Sequence, residues 1–384
     1  MEYLFNDVLE IKNGKNQKLV ENPEGLYPIY GSGGIIGYAD KYICEANTVI
    51  IGRKGSINNP IYVSEPFWNV DTAFGLSPKQ DILLPRYLFY FCKNYNFEKL
   101  NKTVTIPSLT KADLLKIQID LPSIDEQRRI VDKLIKVETI INLRNYQVQQ
   151  LDDLIKARFV EMFGDLANPE CKWNKYPLIN ACLNKDDIKC GPFGTQLSKD
   201  EYTAEGIAVW EIPQINMGFQ CAPTHFLTEE KANQLEAYSL IPGDIAMSRK
   251  GNVGKCALFP EEYSNGIIHS DVLRIRVDKK NVNPVFMMYQ LHFSKAVTRQ
   301  IELVSSGAIM AGVNVTKLKQ ICVHIPPIEL QQKFADFVAQ IDKSKLLSGC
   351  RLFHSWAPEN RDKPKHVGVP QRKTKVLRGC QRQQ

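Results

Sequence analysis

Two short basic runs offer most of the chemistry in this sequence. Arg53-Lys54-Gly55 ends an apolar run in VIIGRKGSINN (49–59), and Arg249-Lys250-Gly251 ends another in IAMSRKGNVGK (245–255). An arginine forks onto guanine O6 and N7 or clasps a phosphate, a lysine supplies a point charge, and a glycine lets the main chain come close to a ligand. Asn58 and Asn59, just beyond the first turn, carry amides suited to the edge of adenine, and Asn252 follows the second turn in the same way. The candidate nucleic-acid contacts are therefore Arg53, Lys54, Asn58, Asn59, Arg249, Lys250 and Asn252, with phosphate contact ranked ahead of base contact.

Other chemistries find little support. The six histidines are scattered without an HxH or HExxH spacing, and the ten cysteines form no CxxC pair, so no metal site is expected and reduced thiols of a cytosolic protein are. GNVGKC (251–256) lacks the spacer and final Ser/Thr of a phosphate-binding loop. YGSGGIIGY (30–38) is rich in glycine but runs on into turn and strand patterns, not the helix a nucleotide loop needs, and reads as a flexible loop. Asn59-Pro60-Ile61-Tyr62 comes nearest to the Asn-Pro-Pro-aromatic motif of adenine methyltransferases, with isoleucine where the second proline belongs. Asp71 and Asp271 each follow a basic turn and read as residues that hold loops. No cofactor is expected. The competing reading is a stand-alone adenine methyltransferase or a fused restriction–modification enzyme, which would bind S-adenosylmethionine.

These turns need elements to position them, and 384 residues suffice for two or three domains. The net charge of +7 lies in the tail: from Leu346 onward there are nine basic and two acidic residues, and the rest of the chain balances. Nucleic-acid binding by the body must therefore rest on local clusters of positive charge. No apolar run reaches the ~18 residues of a membrane helix, and MEYLFNDVLEIKNGK has no secretion-signal pattern.

The organisation is a duplication. After each basic turn comes a stretch carrying an aspartate (FWNVDTAFGLS and GIIHSDVLRIR), then a proline opening an aromatic helix (Pro85-RYLFYF and Pro284-VFMMYQ). The motif Leu121-Pro-x-Ile-x-x-Gln127 then answers Ile325-Pro-x-Ile-x-x-Gln331. Four landmarks recur in one order. Each unit reads as short strands and long loops followed by a helix that starts after the Pro-x-Ile turn. The first helix carries Ile130, Leu134, Val137, Ile141, Val148, Leu151 and Ile155 on alternating three- and four-residue steps, with Arg144 taking the seam position between Ile141 and Val148, and nothing breaks the helix from Asp125 to Phe163. That is ~58 Å of helix at 1.5 Å per residue, and a heptad seam of this length calls for a partner helix. The second helix begins alike, with Leu330, Phe334 and Ile341, and loses its period after Lys345. The expected consequence is that Val148, Leu151 and Ile155 stay uncovered, and that 346–384 forms a basic, disordered tail.

LPSIDEQRRIVDKLI (121–135) and IPPIELQQKFADFVAQID (325–342), with Gly191-Pro-Phe-Gly194 and the two basic turns, make the chain resemble the specificity subunit of type I restriction–modification enzymes over roughly residues 1–345. The resemblance implies an α+β chain of two duplicated mixed α/β target recognition domains, each followed by a long coiled-coil helix: 1–122, helix 123–165, 170–326, helix 327–345, then the tail 346–384. It further implies a non-catalytic protein whose partners are double-stranded DNA, methyltransferase subunits and restriction/motor subunits. The helices would pair antiparallel as a spacer. From the early end of the second, the expectation is a shortened variant of this design.

Overall fold

Two Pro-x-Ile turns divide the architecture as the sequence repeat does. The structure is a computed structural model describing residues 1–101, 106–168, 170–305 and 312–347; the tail expected beyond Lys345 lies, from residue 348 on, outside the described residues. The chain forms two compact units, residues 1–143 and 144–384, and the long helix begins in one and ends in the other.

In the first unit a four-stranded antiparallel sheet runs in the order Leu9–Asn13, Ala73–Pro78, Thr48–Gly52, Ile61–Val63. Thr48–Gly52 is buried along its whole length, which is why TVIIG reads as a continuous apolar run and not as an alternation. A three-stranded sheet joins the hairpin Tyr27–Gly31/Gly34–Ala39 to Trp68–Asn69; YGSGGIIGY (30–38), expected as a flexible loop, is instead the paired tip of this hairpin, its glycines giving no apolar alternation from which strands could be read. Glu2–Leu4 pairs with Gln118–Asp120, bringing the start of the unit to its end. Helix α1 (Pro85–Asn94) opens with a proline whose missing N–H costs nothing in the first turn. Helix α2 (Ile124–Phe163) follows the Pro-x-Ile turn, with Asp125 and Glu126 in its first turn, where the helix dipole favours negative charge.

The second unit repeats these parts. Lys175–Pro177 pairs with Cys322–His324. An antiparallel sheet runs Ile188–Cys190, Val272–Ile275, Ile245–Ser248, Cys256–Leu258. The second sheet runs His225–Leu227, Ile207–Trp210, Gly266–Ile268, Ser239–Leu240. Helix α3 (Pro284–Phe293) is the counterpart of α1, α4 (Lys295–Ser305) packs beside it, and α5 (Ile328–Leu347) follows the second Pro-x-Ile turn.

The motif glutamines make the repeat exact at the level of hydrogen bonds. Buried Gln127 accepts from Leu84 N at 2.9 Å and donates to the Ile82 and Pro122 carbonyls. Buried Gln331 accepts from Asn283 N at 2.8 Å and donates to Asn281 and Pro326. Each amide thus satisfies backbone groups at the entry of the aromatic helix and at the turn into the long one.

A second expectation is corrected as well. Leu151 and Ile155 are not left bare. Ile155, Phe159 and Phe163 of α2 form one core with Phe286 of α3 and with Phe334, Val338 and Ile341 of α5, Leu151 packing at its edge. The start of α5 meets the end of α2, and the end of α5 reaches back to Asp152, whose carboxylate is 2.6 Å from Lys345 Nζ. A short antiparallel partner covers the C-terminal part of the seam of α2, so the bare residues of the seam lie earlier. Leu134 and Val137 are exposed, as are Ile140, Leu143 and Tyr146; Ile130, Ile141 and Val148 are half-buried.

The eight described cysteines are free. Burial pushes Cys44, Cys182 and Cys256 up to about 12, so they stay protonated and unreactive.

Candidate nucleic-acid interface

Each basic turn leaves the end of a central strand and serves as the post on which other loops of its unit are hung. In the first unit Arg53 N donates to Thr72 O at 2.7 Å, and Leu109 N donates to Arg53 O at 2.9 Å. In the second, Arg249 N donates to Asp271 O at 2.9 Å, and Val313 N donates to Arg249 O at 3.0 Å. Gly55 and Gly251 both adopt positive φ, +78° and +67°, a conformation that side-chain-bearing residues resist. A fourth loop joins in the same way: Gly14 N donates to Ala73 O, and Gly191 N to Val272 O.

A further loop, between the strands of the second sheet, approaches the residue just before each arginine. The hairpin tip of the first unit touches Gly52, where a Cβ would lie 3.1 Å from Ser32 Cβ. In the second unit Ser248 Oγ is 3.3 Å from Asn216 Oδ1 and donates to it. This long-range convergence is what local sequence patterns do not encode.

The two clusters differ in charge. Arg53 and Lys54 are exposed; the arginine makes a 3.5 Å bond to Asp71 O and lies 5.9 Å from the Phe74 ring centre. Arg249 is half-buried, with its guanidinium 4.8 Å over the Phe193 ring and Nε donating to Val313 O at 3.2 Å. Lys250 Nζ sits 2.7 Å from Asp271 Oδ1. Both cations are therefore presented openly in the first cluster, whereas in the second Lys250 is ion-paired and Arg249 is tied to a ring and a carbonyl.

The asparagines also divide. Asn58 Oδ1 accepts from Phe97 N at 2.7 Å while its Nδ2 donates to Asn96 Oδ1 at 3.4 Å, so its amide holds a loop and has only one lone pair and one N–H left for a ligand. Asn59 and Asn252 are exposed. Of the seven candidates, Arg53, Lys54 and Asn59 are exposed in the first unit, Asn252 is exposed in the second, and Asn58, Arg249 and Lys250 are engaged within the protein. Sequence reasoning missed Phe193 as the platform under Arg249, and it missed the loop through Asn216. The motif Gly191-Pro-Phe-Gly194 was visible; its place under an arginine 56 residues away was not. Among the described residues there is no cluster of three or more metal-ligating side chains, and no helix is long and apolar enough to cross a membrane.

A duplicated α+β chain, with each copy gathering its loops on a basic turn and running into a long helix, defines a two-domain protein built twice on one plan. The chain belongs to the type I restriction modification DNA specificity family, whose domain model matches residues 2–152 and again 188–349. It is 24% identical over 336 residues to a putative type I restriction enzyme specificity subunit of Haemophilus influenzae, covering 84% of this chain and 81% of that protein. It is 22% identical over 361 residues to the type I restriction enzyme MjaVIII specificity subunit of Methanocaldococcus jannaschii, covering 88% and 85%. The fold matches the crystal structure of a type I restriction–modification S subunit from M. genitalium, with a TM-score of 0.58 at 17% identity over 92% of this chain and 91% of that one.

Proposed function

We propose that this chain is the non-catalytic, DNA-reading subunit of a type I restriction–modification complex. Residues 1–122 and 170–326 each read one half of a split duplex sequence. The helices 123–165 and 327–345 act as the spacer between the two readers and as the platform on which methyltransferase subunits dock, with restriction subunits joining that core. The observation that carries this reading is the repeated loop cluster: two units of one family build the same basic turn, braced by the same backbone bonds. A single-headed reader would need only one. Phosphate contacts from Arg53 and Lys54 would position the duplex, and loop residues around them would reach base edges.

The test is a genome-wide map of N6-methyladenine in cells carrying the cognate methyltransferase, with and without this chain. The expected result is a split motif with a fixed gap that appears only when the chain is present; a map that does not depend on it overturns the proposal. Micromolar binding of S-adenosylmethionine by the isolated chain would instead favour a stand-alone methyltransferase.

A further inference from the structure

The turn Met217–Gln220 in the second unit is built more rigidly than a connection needs to be. It lies in the loop between the antiparallel strands Ile207–Trp210 and His225–Leu227. Gln220 N donates to Met217 O at 3.1 Å, and the two residues between them have φ of +59° (Gly218) and +61° (Phe219). Paired left-handed residues are the mark of a type I′ turn, whose usual occupants are Gly, Asn and Asp. A bulky aromatic there is a true outlier, and such a conformation persists only where the surroundings over-determine it.

The surroundings do so. The Phe219 ring is buried, with ring centres 5.3 Å from Trp210 and 5.1 Å from Phe259, and its carbonyl accepts from Tyr263 Oη at 2.8 Å. Phe219 is thus an anchor driven into an aromatic cage, and its neighbours on both sides, Met217, Gly218 and Gln220, are exposed. The turn is tied to the basic cluster, since Asn216 beside it accepts from Ser248, the residue preceding Arg249. The equivalent place in the first unit is taken by the tip Gly31–Gly34, where Ser32 supplies the only side chain.

We infer that Met217–Gln220 is the base-reading tip of the second unit, with Gln220 and Met217 as specificity-determining residues. The inference rests on the DNA-reading function proposed above. A glutamine amide matches adenine N6 and N7, and an apolar methyl group matches the thymine methyl. Rigid anchoring keeps both side chains in one register on the groove, so that selectivity is not lost to loop motion. Because Ser32 supplies the only side chain at the same place in the first unit, the two halves of the target are read by different means.

The test is selection of duplexes from a random-sequence library by the full chain, alongside Gln220→Ala and Met217→Ala. Both positions are exposed, so neither change threatens the fold. The expected result is that one half of the parent's split consensus loses preference at one or two adjacent positions by at least about fivefold, while the other half and the affinity for an unselected duplex stay within about twofold. A parent consensus retained in full by both variants overturns the role of the turn and leaves the proposed function standing. A parent that enriches no split consensus overturns the function, and this inference with it.

Discussion

Lys54 and Lys250 occupy equivalent places and meet different surroundings. Lys250 is ion-paired with Asp271 at 2.7 Å, whereas Lys54 is exposed and has no ion-pair partner among the described residues. A cation already matched must give up its partner to take a phosphate, so it contributes less to binding even where the pair itself is worth little. The prediction is that the double change Arg53→Ala and Lys54→Ala weakens binding to every duplex and reduces the slope of log affinity against log salt by about 1.8, the value for two lost phosphate contacts. Lys250→Ala should reduce it by well under one. Titrations at three salt concentrations distinguish the two, and equal effects would show that both turns meet DNA alike.

At the scale of elements, the joint between α2 and α5 rests on phenylalanine. The Phe334 ring has centres 5.4 Å from Phe159 and 5.6 Å from Phe163, both near-perpendicular, and it is fully buried. Truncation to Ala removes the whole ring from a packed core, and Phe334→Ala should cost about 3–5 kcal/mol in chemical denaturation. A cost below about 1 kcal/mol would mean that α5 adds little to the unit. The helices were legible in the sequence because a seven-residue apolar period with no Gly or Pro from Asp125 to Phe163 admits few other structures. Which part of the seam would be covered was not. The resemblance implied antiparallel pairing, but covering Leu151 depends on the axial register that seats Phe334 against Phe159 and Phe163, and a helical period carries no register. The candidate site was legible only in part for a related reason. Arg-Lys-Gly marked the posts, but Asn58 spends its amide on Asn96 and Phe97, Asp271 neutralises Lys250, and Asn216 meets Ser248. Each of these contacts spans tens of residues and follows from the folded sheets, not from local spacing.

For the whole molecule, the proposed spacer role makes helix length and helix phase separate variables. Between Glu138, whose carboxylate is held by Lys93 and Tyr90 in the first unit, and Leu151, which packs on the core of the second, α2 runs through its barest stretch. An insertion after Leu143 therefore leaves the anchoring contacts of both units in place. Four added residues lengthen the helix by ~6 Å and turn it by about 40° beyond a full revolution. B-DNA advances 3.4 Å per base pair and turns about 34° with it, and only the projection of the added length on the duplex axis counts. Four residues should thus be accommodated by a gap one or two base pairs longer, with both half-sites unchanged. Two added residues lengthen the helix by only ~3 Å but rotate it by about 200°, which points one reader away from the groove it must enter. The expected methylation map shows the four-residue insertion shifting the gap and the two-residue insertion abolishing the split motif at every gap. If the smaller insertion instead preserves the motif, α2 does not fix the phase of the two readers, and the spacer role falls.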